Sequence, residues 1–477
     1  MSTDNFELNA GTRLHLVGVG GSGMSAIAHV LIDRGYEISG SDLQENETVK
    51  LLRDRGAIVK IGHAKENIIG ADVLVISSAI PTENPELVAA RDAGLPILKR
   101  SDFLRYLMAD QSVIAVAGTH GKTTTTAMIA HILLETNQDP SVILGGNLPL
   151  IEGNGRAGSG DYFIIEADEY DFMFLGLQPD IAVITNIEHD HPDIFPTLVD
   201  YLDAFCEFSM LLPQDGILIV SGEDPGIAEM LAEMTLPGVK LLTYGLVEET
   251  TDGSMIDLQA IDCRSNQLGG TDFVVISGNQ TVGLVRLRVP GLHNVRNALA
   301  AIAVAQELEI DFGQVCRALA DFGGVGRRFQ ILGEVGGVTI IDDYAHHPTE
   351  IQATLAAARQ QYGNRRLWAI WQPHTYSRIK LLLPQFASSF AMADRVIILD
   401  IYRSRETDNL GMHAADIASG IDHPNTDYVG RIEEAVNYLL DRVRPGDVLL
   451  TLGAGDGNLV GEKLLDKLKV RVETYRP

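Results

Sequence analysis

A chain of 477 residues is longer than one hydrophobic core normally supports, and at roughly 150 residues per domain it predicts about three domains. Hydrophobic residues make up 45% of the sequence and charged residues 21%, a balance that is typical of globular proteins and excludes a disordered or fibrous chain. The formal net charge of −27 repels nucleic acid and anionic lipid, so any phosphate that binds must meet local donors.

The opening segment MSTDNFELNA is polar and acidic, and it has neither the basic region nor the apolar core of a secretory signal. No apolar run in the sequence approaches the ~18 residues of a membrane span. The three cysteines, Cys206, Cys263 and Cys316, are far apart and predict neither a disulfide framework nor a metal-binding pair. We therefore expect a cytoplasmic protein without a membrane or nucleic-acid partner.

Short runs rich in Val, Ile and Leu recur along the chain, and each is followed by glycines or acids and then by a segment of helical period. This alternation predicts an α/β protein built of parallel sheets with crossover helices. In the first unit we predict strands at residues 14–17 and 73–76, with a further strand between them that ends at Asp42. A mixed polar stretch at residues 99–111 separates this unit from the next predicted strand, at residues 113–116.

The second unit extends to the glycines of GGVGRRF, which predict a hinge. Within this unit, residues 236–289 alternate polar and β-branched side chains and are predicted to add antiparallel strands. The third unit has apolar runs that predict strands at residues 338–341, 367–370, 396–399 and 448–450. We therefore predict three domains, at residues 1–108, 109–325 and 326–477.

A glycine-rich turn follows the first predicted strand. Residues 18–23, GVGGSG, match the pattern GxGxxG, and Asp42 ends the next strand, where a dinucleotide fold places its ribose-binding acid. Such a turn needs only a pyrophosphate and a ribose or base, so any nucleotide diphosphate would suit it. A nicotinamide-dependent oxidoreductase is therefore a rival function at this point, and a turn that serves only close helix packing is the alternative without function.

The strongest local signal is AGTHGKTT at residues 117–124, between an apolar strand and the helical run AMIAHILLE. Backbone N–H groups of such a loop converge on phosphate, Lys122 reaches the terminal phosphates, and the Thr123 hydroxyl can hold Mg²⁺. The loop departs from GxxxxGK[ST] because Val116 occupies the first glycine position and Gly118 follows two residues later. We interpret it as a tighter variant of a nucleoside triphosphate site rather than a chance glycine-rich helix start.

Acidic clusters follow two further predicted strands. EADEYD begins at Glu166, the best-placed cation ligand, and NIEHDHPD contains Asp190 and His191, either of which can bind the same metal or a second one. Each cluster alone also fits a solvated acidic loop. Because ligands collect at the carboxyl ends of strands in open α/β sheets, both clusters beside a phosphate loop favour a site for Mg²⁺ or Mn²⁺.

Polar residues in the later segments each have two interpretations. Asn294, near the start of a predicted helix, is either its N-cap or a ligand. The arginines of GRRF can swing onto a phosphate when domains close, or form an interdomain ion pair. DDYAHHP joins a strand to a helix that begins at Pro348, and we favour a functional role. In WQPHTYSR, core packing explains Trp371, whereas His374 and Arg378 are predicted ligands for a carboxylate.

These motifs together resemble the Mur ligase family over nearly the whole chain. In order, the resemblance rests on GVGGSGM, the dipeptide SD at residues 41–42, SSAIP, GTHGKTTT, EADEYD, TNIEHDH, HNVRN, GRRF, DDYAHHPTEI and QPHTYSR. It implies a Rossmann-like domain for a UDP-sugar, a central P-loop ATPase domain and a Rossmann-like C-terminal domain that brings an amino acid. The implied enzyme uses ATP and Mg²⁺ (or Mn²⁺) to join L-alanine to UDP-N-acetylmuramate through an acyl phosphate, in peptidoglycan biosynthesis.

The resemblance also implies roles for individual residues. UDP-sugar binding falls to Gly18, Gly20, Gly21, Gly23, Ser41, Asp42 and Ser78. ATP binding falls to Gly118, Thr119, His120, Gly121, Lys122, Thr123, Thr124, His293, Asn297, Arg328 and Asp343. Metal binding falls to Thr123, Glu166 and His191. Amino-acid binding falls to Tyr344, His346, His374, Tyr376 and Arg378, and the residues expected to be catalytic are Lys122, His346 and Arg328.

The sequence departs from the family pattern in places. Thr375 stands where some relatives carry arginine, so Arg378 is the expected substitute for holding the amino-acid carboxylate. The run DIYRSRETDNLGMHAADIA matches only at its start, which leaves the role of that loop open. Sister ligases support a second metal with a carbamylated lysine, but no lysine lies between His191 and Pro213, which predicts an unmodified site.

Alternative functions stay open from the sequence. A ligase of cell-wall recycling, which attaches a whole tripeptide to the same sugar, shares GVGGSGM and DDYAHHP, whereas QPHTYSR favours the alanine enzyme. A nucleotide-regulated binding protein would bind ATP without forming an amide, and the oxidoreductase leaves GTHGKTTT unexplained. We expect a monomer or a weak homodimer.

Overall fold

The computed structural model describes residues 6–246 and 253–474. In these ranges the strands form three sheets that follow one another along the chain, and helices connect the parallel strands. The predicted α/β class is therefore confirmed. No helix among these residues is long and apolar enough to cross a membrane.

The first sheet has five parallel strands in the order β3-β2-β1-β4-β5. The strands are β1 (Leu14–Val17), β2 (Ile38–Asp42), β3 (Ile58–Ile61), β4 (Val73–Ile76) and β5 (Ile97–Lys99), and the helices are α1 (Ser22–Asp33), α2 (Glu47–Asp54), α3 (Pro85–Asp92) and α4 (Arg100–Met108). A short 3₁₀ helix spans Lys65–Ile68. The strand order reverses between β1 and β4, which is where an open α/β sheet forms its ligand crevice.

The second sheet has ten strands in the order β15-β14-β13-β12-β11-β10-β6-β9-β7-β8. The strands are β6 (Ser112–Ala117), β7 (Ser141–Leu148), β8 (Gly153–Arg156), β9 (Tyr162–Glu166), β10 (Ile181–Ile184), β11 (Ile217–Ser221), β12 (Lys240–Gly245), β13 (Leu258–Ser265), β14 (Thr271–Ser277) and β15 (Gln280–Arg286). The helices are α5 (Lys122–Glu135), α6 (Leu198–Ser209), α7 (Pro225–Glu233), α8 (Leu292–Glu307) and α9 (Phe312–Asp321), with 3₁₀ turns at Pro149–Ile151 and Tyr170–Gly176.

The predicted antiparallel addition to this sheet is present as β13, β14 and β15. The strand β12 also lies in the predicted segment, but it pairs parallel with both of its neighbours. It is reached through α7, and such a crossover helix returns the chain in the parallel direction.

The third sheet has six strands in the order β16-β17-β21-β18-β19-β20, and only β16 is antiparallel to its neighbour. The strands are β16 (Gln330–Val335), β17 (Val338–Asp343), β18 (Leu367–Trp371), β19 (Arg395–Leu399), β20 (Thr426–Gly430) and β21 (Val448–Leu452). The helices are α10 (Pro348–Tyr362), α11 (Tyr376–Ala387), α12 (Ala414–Gly420), α13 (Ile432–Leu440) and α14 (Asn458–Thr474). Trp371 is fully buried and stacks on Phe386, which confirms its packing role.

The predicted domain boundaries near residues 109 and 326 fall between sheets. The first sheet ends at Lys99, the second spans 112–286, and the third begins at Gln330. The boundaries themselves stay a prediction.

Each sheet with its helices is called a module, numbered in chain order. The first module contacts the second through α1, which packs against β7 and β8. The Asn154 side chain donates a hydrogen bond to Ser22 O at 2.8 Å, and the backbone N–H of Ala157 donates to Asp33 Oδ2 at 3.0 Å. Gly155 lies so close to α1 that an added Cβ would be 2.3 Å from Ala26 O. The absence of a side chain at this position therefore sets how closely the two modules approach.

We expect Gly155→Ala to destabilise the protein by about 1–3 kcal/mol, because its methyl group would meet backbone atoms that have no room to move. Thermal unfolding should show a lower Tm than the wild type. Gly420→Ala is the matched control, since a Cβ at Gly420 would meet nothing within 4 Å. Equal Tm values for the two variants would contradict this view of the docking surface.

Candidate active site

Three strands that are adjacent in the second sheet bring the phosphate loop and both acidic clusters to one edge. The order β10-β6-β9 places the loop after β6 between Glu166, which ends β9, and the segment that follows β10. Parallel strands end at the same edge, so motifs that are far apart in sequence meet there. The sequence predicted this convergence.

The phosphate loop is held in a shape that requires glycine. Gly118 has φ +128°, and a Cβ there would lie 2.1 Å from Thr185 Oγ1 and 3.0 Å from the Thr185 backbone nitrogen. The loop is fixed to the β10 end by hydrogen bonds from Thr119 N to Asn186 O at 3.0 Å and from His120 N to Asn186 Oδ1 at 2.9 Å. No side chain caps the following helix α5, so its first N–H groups are available to an anion.

Lys122 is buried against a carboxylate that the sequence did not single out. Its Nζ donates to Gly118 O at 2.6 Å and lies 2.9 Å from Glu169 Oε2. Burial opposes the charge of the lysine, but Glu169 prevails and raises the pKa of Lys122. Glu169 also accepts from Tyr201 OH at 3.1 Å, and despite its burial Lys122 and His191 lower its pKa to about 2. Lys122 is therefore a fixed cation at the loop.

Two predicted metal ligands meet beside this pair. Thr123 Oγ1 donates to Glu166 Oε1 at 2.8 Å, and Gly145 N donates to Glu166 Oε2 at 2.6 Å. Burial raises the pKa of Glu166, so this carboxylate lacks enough positive charge around it and suits a cation. Hydroxyl and carboxylate oxygens are the donors that Mg²⁺ prefers. The third predicted ligand, His191, has Nε2 3.4 Å from Glu169 Oε1.

A cavity of about 320 Å³ opens beside the loop, between the second and third modules. It is lined by seven of the residues predicted to bind ATP, namely His120, Gly121, Thr124, His293, Asn297, Arg328 and Asp343. Burial raises the pKa of Asp343 to about 6, although Arg328 opposes this shift. Both Asp343 oxygens accept backbone N–H groups, from Phe329 and Ala345 at 2.8 Å, so Asp343 shapes the turn that presents Arg328.

The two arginines of GRRF have different roles. Arg327 forms an ion pair with Asp342 at 3.1 Å inside the third module. Arg328 lines the cavity and lies 3.7 Å from Glu350. Only Arg328 is therefore placed to reach a ligand.

The N-cap interpretation of Asn294 is wrong. The helix α8 begins one turn earlier, with Gly291 at its N-cap in a conformation of φ +94°. Asn294 is inside the helix, where its amide donates to Pro290 O at 2.7 Å and accepts from Asn297 Nδ2 at 3.2 Å. Asn297 in turn accepts from Thr125 Oγ1 at 3.2 Å, which ties this helix to α5 behind the phosphate loop.

Four of the residues predicted to bind the amino acid lie close together beyond the ends of β17 and β18. They are Tyr344, His346, His374 and Arg378, and we call them the amino-acid cluster. The His346 ring lies 5.5 Å from Tyr344 and 5.9 Å from His374, and Arg378 Nη1 donates to His374 Nδ1 at 3.0 Å. Burial lowers the pKa of His346 to about 3 and that of His374 to about 2, so both rings are neutral.

The remaining member of the predicted amino-acid site, Tyr376, begins α11. Its backbone N–H donates to Glu406, whose carboxylate also accepts from Ser377 N at 3.2 Å. Glu406 belongs to the loop whose role the sequence left open, and Tyr402 of the same loop stacks on His374 with ring centroids 5.6 Å apart. The loop therefore forms a wall of this cluster.

Asp190 was an alternative metal ligand in the sequence. Both of its oxygens are taken by Arg378, at 2.7 and 3.1 Å, in contacts that cross from the second module to the third. This leaves His191 as the metal-ligand candidate of that segment.

The phosphate loop also contacts the third module through His120. Its Nε2 lies 2.7 Å from Glu188 Oε2, and its Nδ1 lies 3.3 Å from Glu350 Oε1. Burial opposes protonation, but the two carboxylates prevail and raise the pKa of His120 to about 9. The sequence did not single out Glu350, although its position three residues after His347 is a capping-box spacing, and the box is formed at the start of α10.

The glycine-rich turn of the first module closes over Asp42. Gly18 has φ +81°, and Gly20 N donates to Asp42 Oδ2 at 2.9 Å. A Cβ at Gly23 would lie 1.9 Å from Arg100 Nη1. Ser41 is buried and donates to Glu86 Oε2 at 2.6 Å. Gly21 is the N-cap of α1, and Ser78 follows the end of β4 by two residues. The UDP-sugar role of all these residues stays a prediction.

Comparison with known proteins finds that three models of one family match consecutive parts of the chain. The model "Mur ligase family, catalytic domain" matches residues 13–112, "Mur ligase middle domain" matches 116–305, and "Mur ligase, glutamate ligase domain" matches 327–455. A UDP-N-acetylmuramate–L-alanine ligase of Alkaliphilus metalliredigens is 42% identical over 95% of this chain and 96% of its own. The same enzyme of Geobacter sulfurreducens is 43% identical, over 96% and 98%.

Solved structures show the same arrangement. A UDP-N-acetylmuramate-alanine ligase from Thermotoga maritima has a TM-score of 0.82 at 29% identity, over 96% of this chain and 99% of its own. A murein peptide ligase from Psychrobacter arcticus has a TM-score of 0.71 at 26% identity, with the same coverage of both chains.

The raised pKa of His120 predicts a pH dependence of stability. The unfolded-state pKa is 6.5, so the contribution of His120 is complete below that pH and is lost as the pH rises through about 9. His120→Gln should therefore lower the Tm relative to the wild type below pH 6.5, with the difference vanishing above about pH 9. The exposed His413 provides the control variant His413→Gln, and a His120→Gln difference that does not depend on pH would contradict the prediction.

Proposed function

The chain belongs to the Mur ligase family, and from this we propose that it is an ATP-dependent enzyme that joins L-alanine to the carboxylate of UDP-N-acetylmuramate in peptidoglycan biosynthesis. One observation supports the proposed phosphoryl transfer most directly. Lys122 is a fixed cation in the phosphate loop, whose Gly121 lines a cavity that Arg328 of the third module also lines.

The reaction requires activation because a carboxylate is a poor acyl donor. Phosphorylation by ATP converts one carboxylate oxygen into part of a leaving group, and an amine can then attack the acyl phosphate and release inorganic phosphate. Such a transfer depends on positioning and on neutralising phosphoryl charge. Lys122, Arg328 and the first N–H groups of α5 supply positive charge around the loop.

We also propose that Thr123 and Glu166 hold Mg²⁺ (or Mn²⁺), with His191 at a second position. The fit rests on the contact between the Thr123 hydroxyl and a buried carboxylate whose pKa is raised. When bound, the cation would neutralise phosphate oxygens and orient them.

We propose that His346 accepts the proton of the attacking amine. Its Nδ1 lies 3.1 Å from Tyr344 O and 3.2 Å from Glu350 Oε2, which are both acceptors, so the ring proton is on Nδ1. Nε2 then keeps its lone pair on the side of Asp190. Because burial lowers the pKa of His346 to about 3, the ring starts neutral, and negative charge on the reacting phosphate would make it a stronger acceptor.

The proposed function is tested by identifying products. The pure protein with ATP, Mg²⁺, UDP-N-acetylmuramate and L-alanine should give ADP, phosphate and the amide, and an oxygen-18 label in the sugar carboxylate should appear in phosphate. AMP and pyrophosphate as products would reject the mechanism. Glycine, L-serine and the tripeptide of murein peptide ligases are supplied in parallel, and a preference for the tripeptide would favour the recycling function.

Lys122→Ala should lower turnover in this assay by about 10²-fold or more, because the phosphoryl charge loses its fixed counter-ion. Far-UV circular dichroism should show an intact fold. Lys240→Ala is the control, since Lys240 is an exposed lysine that pairs with Glu307. Wild-type turnover by Lys122→Ala would mean that the loop has another role.

His346→Ala should lower kcat by about 10²-fold near neutral pH, with partial recovery as the pH rises and more of the amine is already deprotonated. The measurement is the pH profile of kcat with saturating substrates. His413→Ala should keep the wild-type profile. A loss that is the same at every pH would assign the proton to another acceptor.

A further inference from the structure

A buried ion pair joins the second and third modules beside the amino-acid cluster. Asp190, in the segment after β10, accepts from Arg378 Nε at 2.7 Å and from Arg378 Nη2 at 3.1 Å. Both side chains are at most 4% exposed. Water therefore cannot replace either partner, and the contact needs residues from both modules.

The pair determines which part of the guanidinium stays free. A guanidinium has about five N–H donors in one plane. Two are used by Asp190, and a third, on Nη1, is used by His374, whose Nδ1 must be the acceptor because arginine only donates. One N–H on Nη1 and one on Nη2 have no hydrogen-bond partner among the described residues, and two such donors at the same end of the plane can bind a carboxylate with two hydrogen bonds.

The same segment reaches the phosphate side of the site. The neighbouring residue, His191, lies 3.4 Å from Glu169, which holds Lys122. His346 Nε2, the proposed proton acceptor, is 3.9 Å from Asp190 Oδ2. Asp190 therefore lies between the phosphate-binding lysine and the residues expected to surround the amino acid.

We propose that Asp190 is a positioning residue for the amino-acid substrate: it holds Arg378 across the module junction so that the two free donors meet the α-carboxylate. This inference rests on the proposed function and on the prediction from the sequence that Arg378 binds that carboxylate. It means that the carboxylate site needs residues of both the second and the third module.

The test is Asp190→Asn, which keeps the size of the side chain and removes its charge. We expect the KM for L-alanine to rise about tenfold or more, because the guanidinium loses its bidentate partner. The KM values for ATP and UDP-N-acetylmuramate should stay close to those of the wild type. Arg378→Lys should raise the KM for L-alanine similarly, and adding Asp190→Asn to it should add little, since both changes remove one contact.

The matched control is Asp447→Asn. Asp447 makes a comparable two-point pair with Arg366, at 2.9 and 2.6 Å, in the third module but outside the site. The Asp447→Asn variant shows how the loss of such a pair affects stability alone, and its KM for L-alanine should equal that of the wild type. Thermal unfolding of both variants separates stability from substrate binding.

Two results would overturn the inference. One is an unchanged KM for L-alanine in Asp190→Asn, and the other is an equal rise in the KM of all three substrates, which would indicate a general role in closure. If Asp190→Asn does not fold, Asp190→Glu is measured instead, and wild-type behaviour despite its longer reach would also count against the inference. Failure of the proposed function is recognised separately, since the wild type would then form no amide.

Discussion

Lys122 and Glu169 form a buried ion pair in a chain whose net charge is −27, and the rest of the site is arranged around it. An acidic protein attracts a triphosphate only where positive charge and backbone N–H groups are concentrated at one point. A buried lysine keeps its proton only if a carboxylate is held beside it, and Glu169 is held by Tyr201 and His191. The phosphate loop, the acidic turn and α6 are therefore fixed together by one charge requirement.

The third module completes the site through a second carboxylate. Glu350 lies 3.3 Å from His120, 3.7 Å from Arg328 and 3.2 Å from His346. It thus contacts the phosphate loop, the arginine after the hinge and the proposed proton acceptor at once. In spite of burial, the positive charges of His120 and Arg328 hold the pKa of Glu350 well below its usual value, so it stays charged. This residue and the Asp190–Arg378 pair join the second module to the third beside the cavity.

The chain's local patterns predicted the fold class correctly, and the predicted strands are present. Apolar runs of four to six residues gave strands in all three sheets, and glycines with positive φ gave the turns at Gly18, Gly118 and Gly121. Of the two interpretations of Asn294, the N-cap is wrong because α8 begins at Leu292 with Gly291 at its N-cap. The parallel pairing of β12 was missed because strand direction depends on the connection and not on the residues of the strand itself.

The sequence by itself determined which segments carry chemistry, because strand, turn and helix signals act over a few neighbouring residues. It did not determine which of several acids faces which cation. EADEYD offers four acids, and only the folded chain shows that Glu169 is the one that pairs with Lys122. Arg378 is 188 residues from Asp190, and no local pattern encodes a contact over that distance. Such pairs are decided by the packing of the modules, because burial makes an unpaired charge too costly to keep.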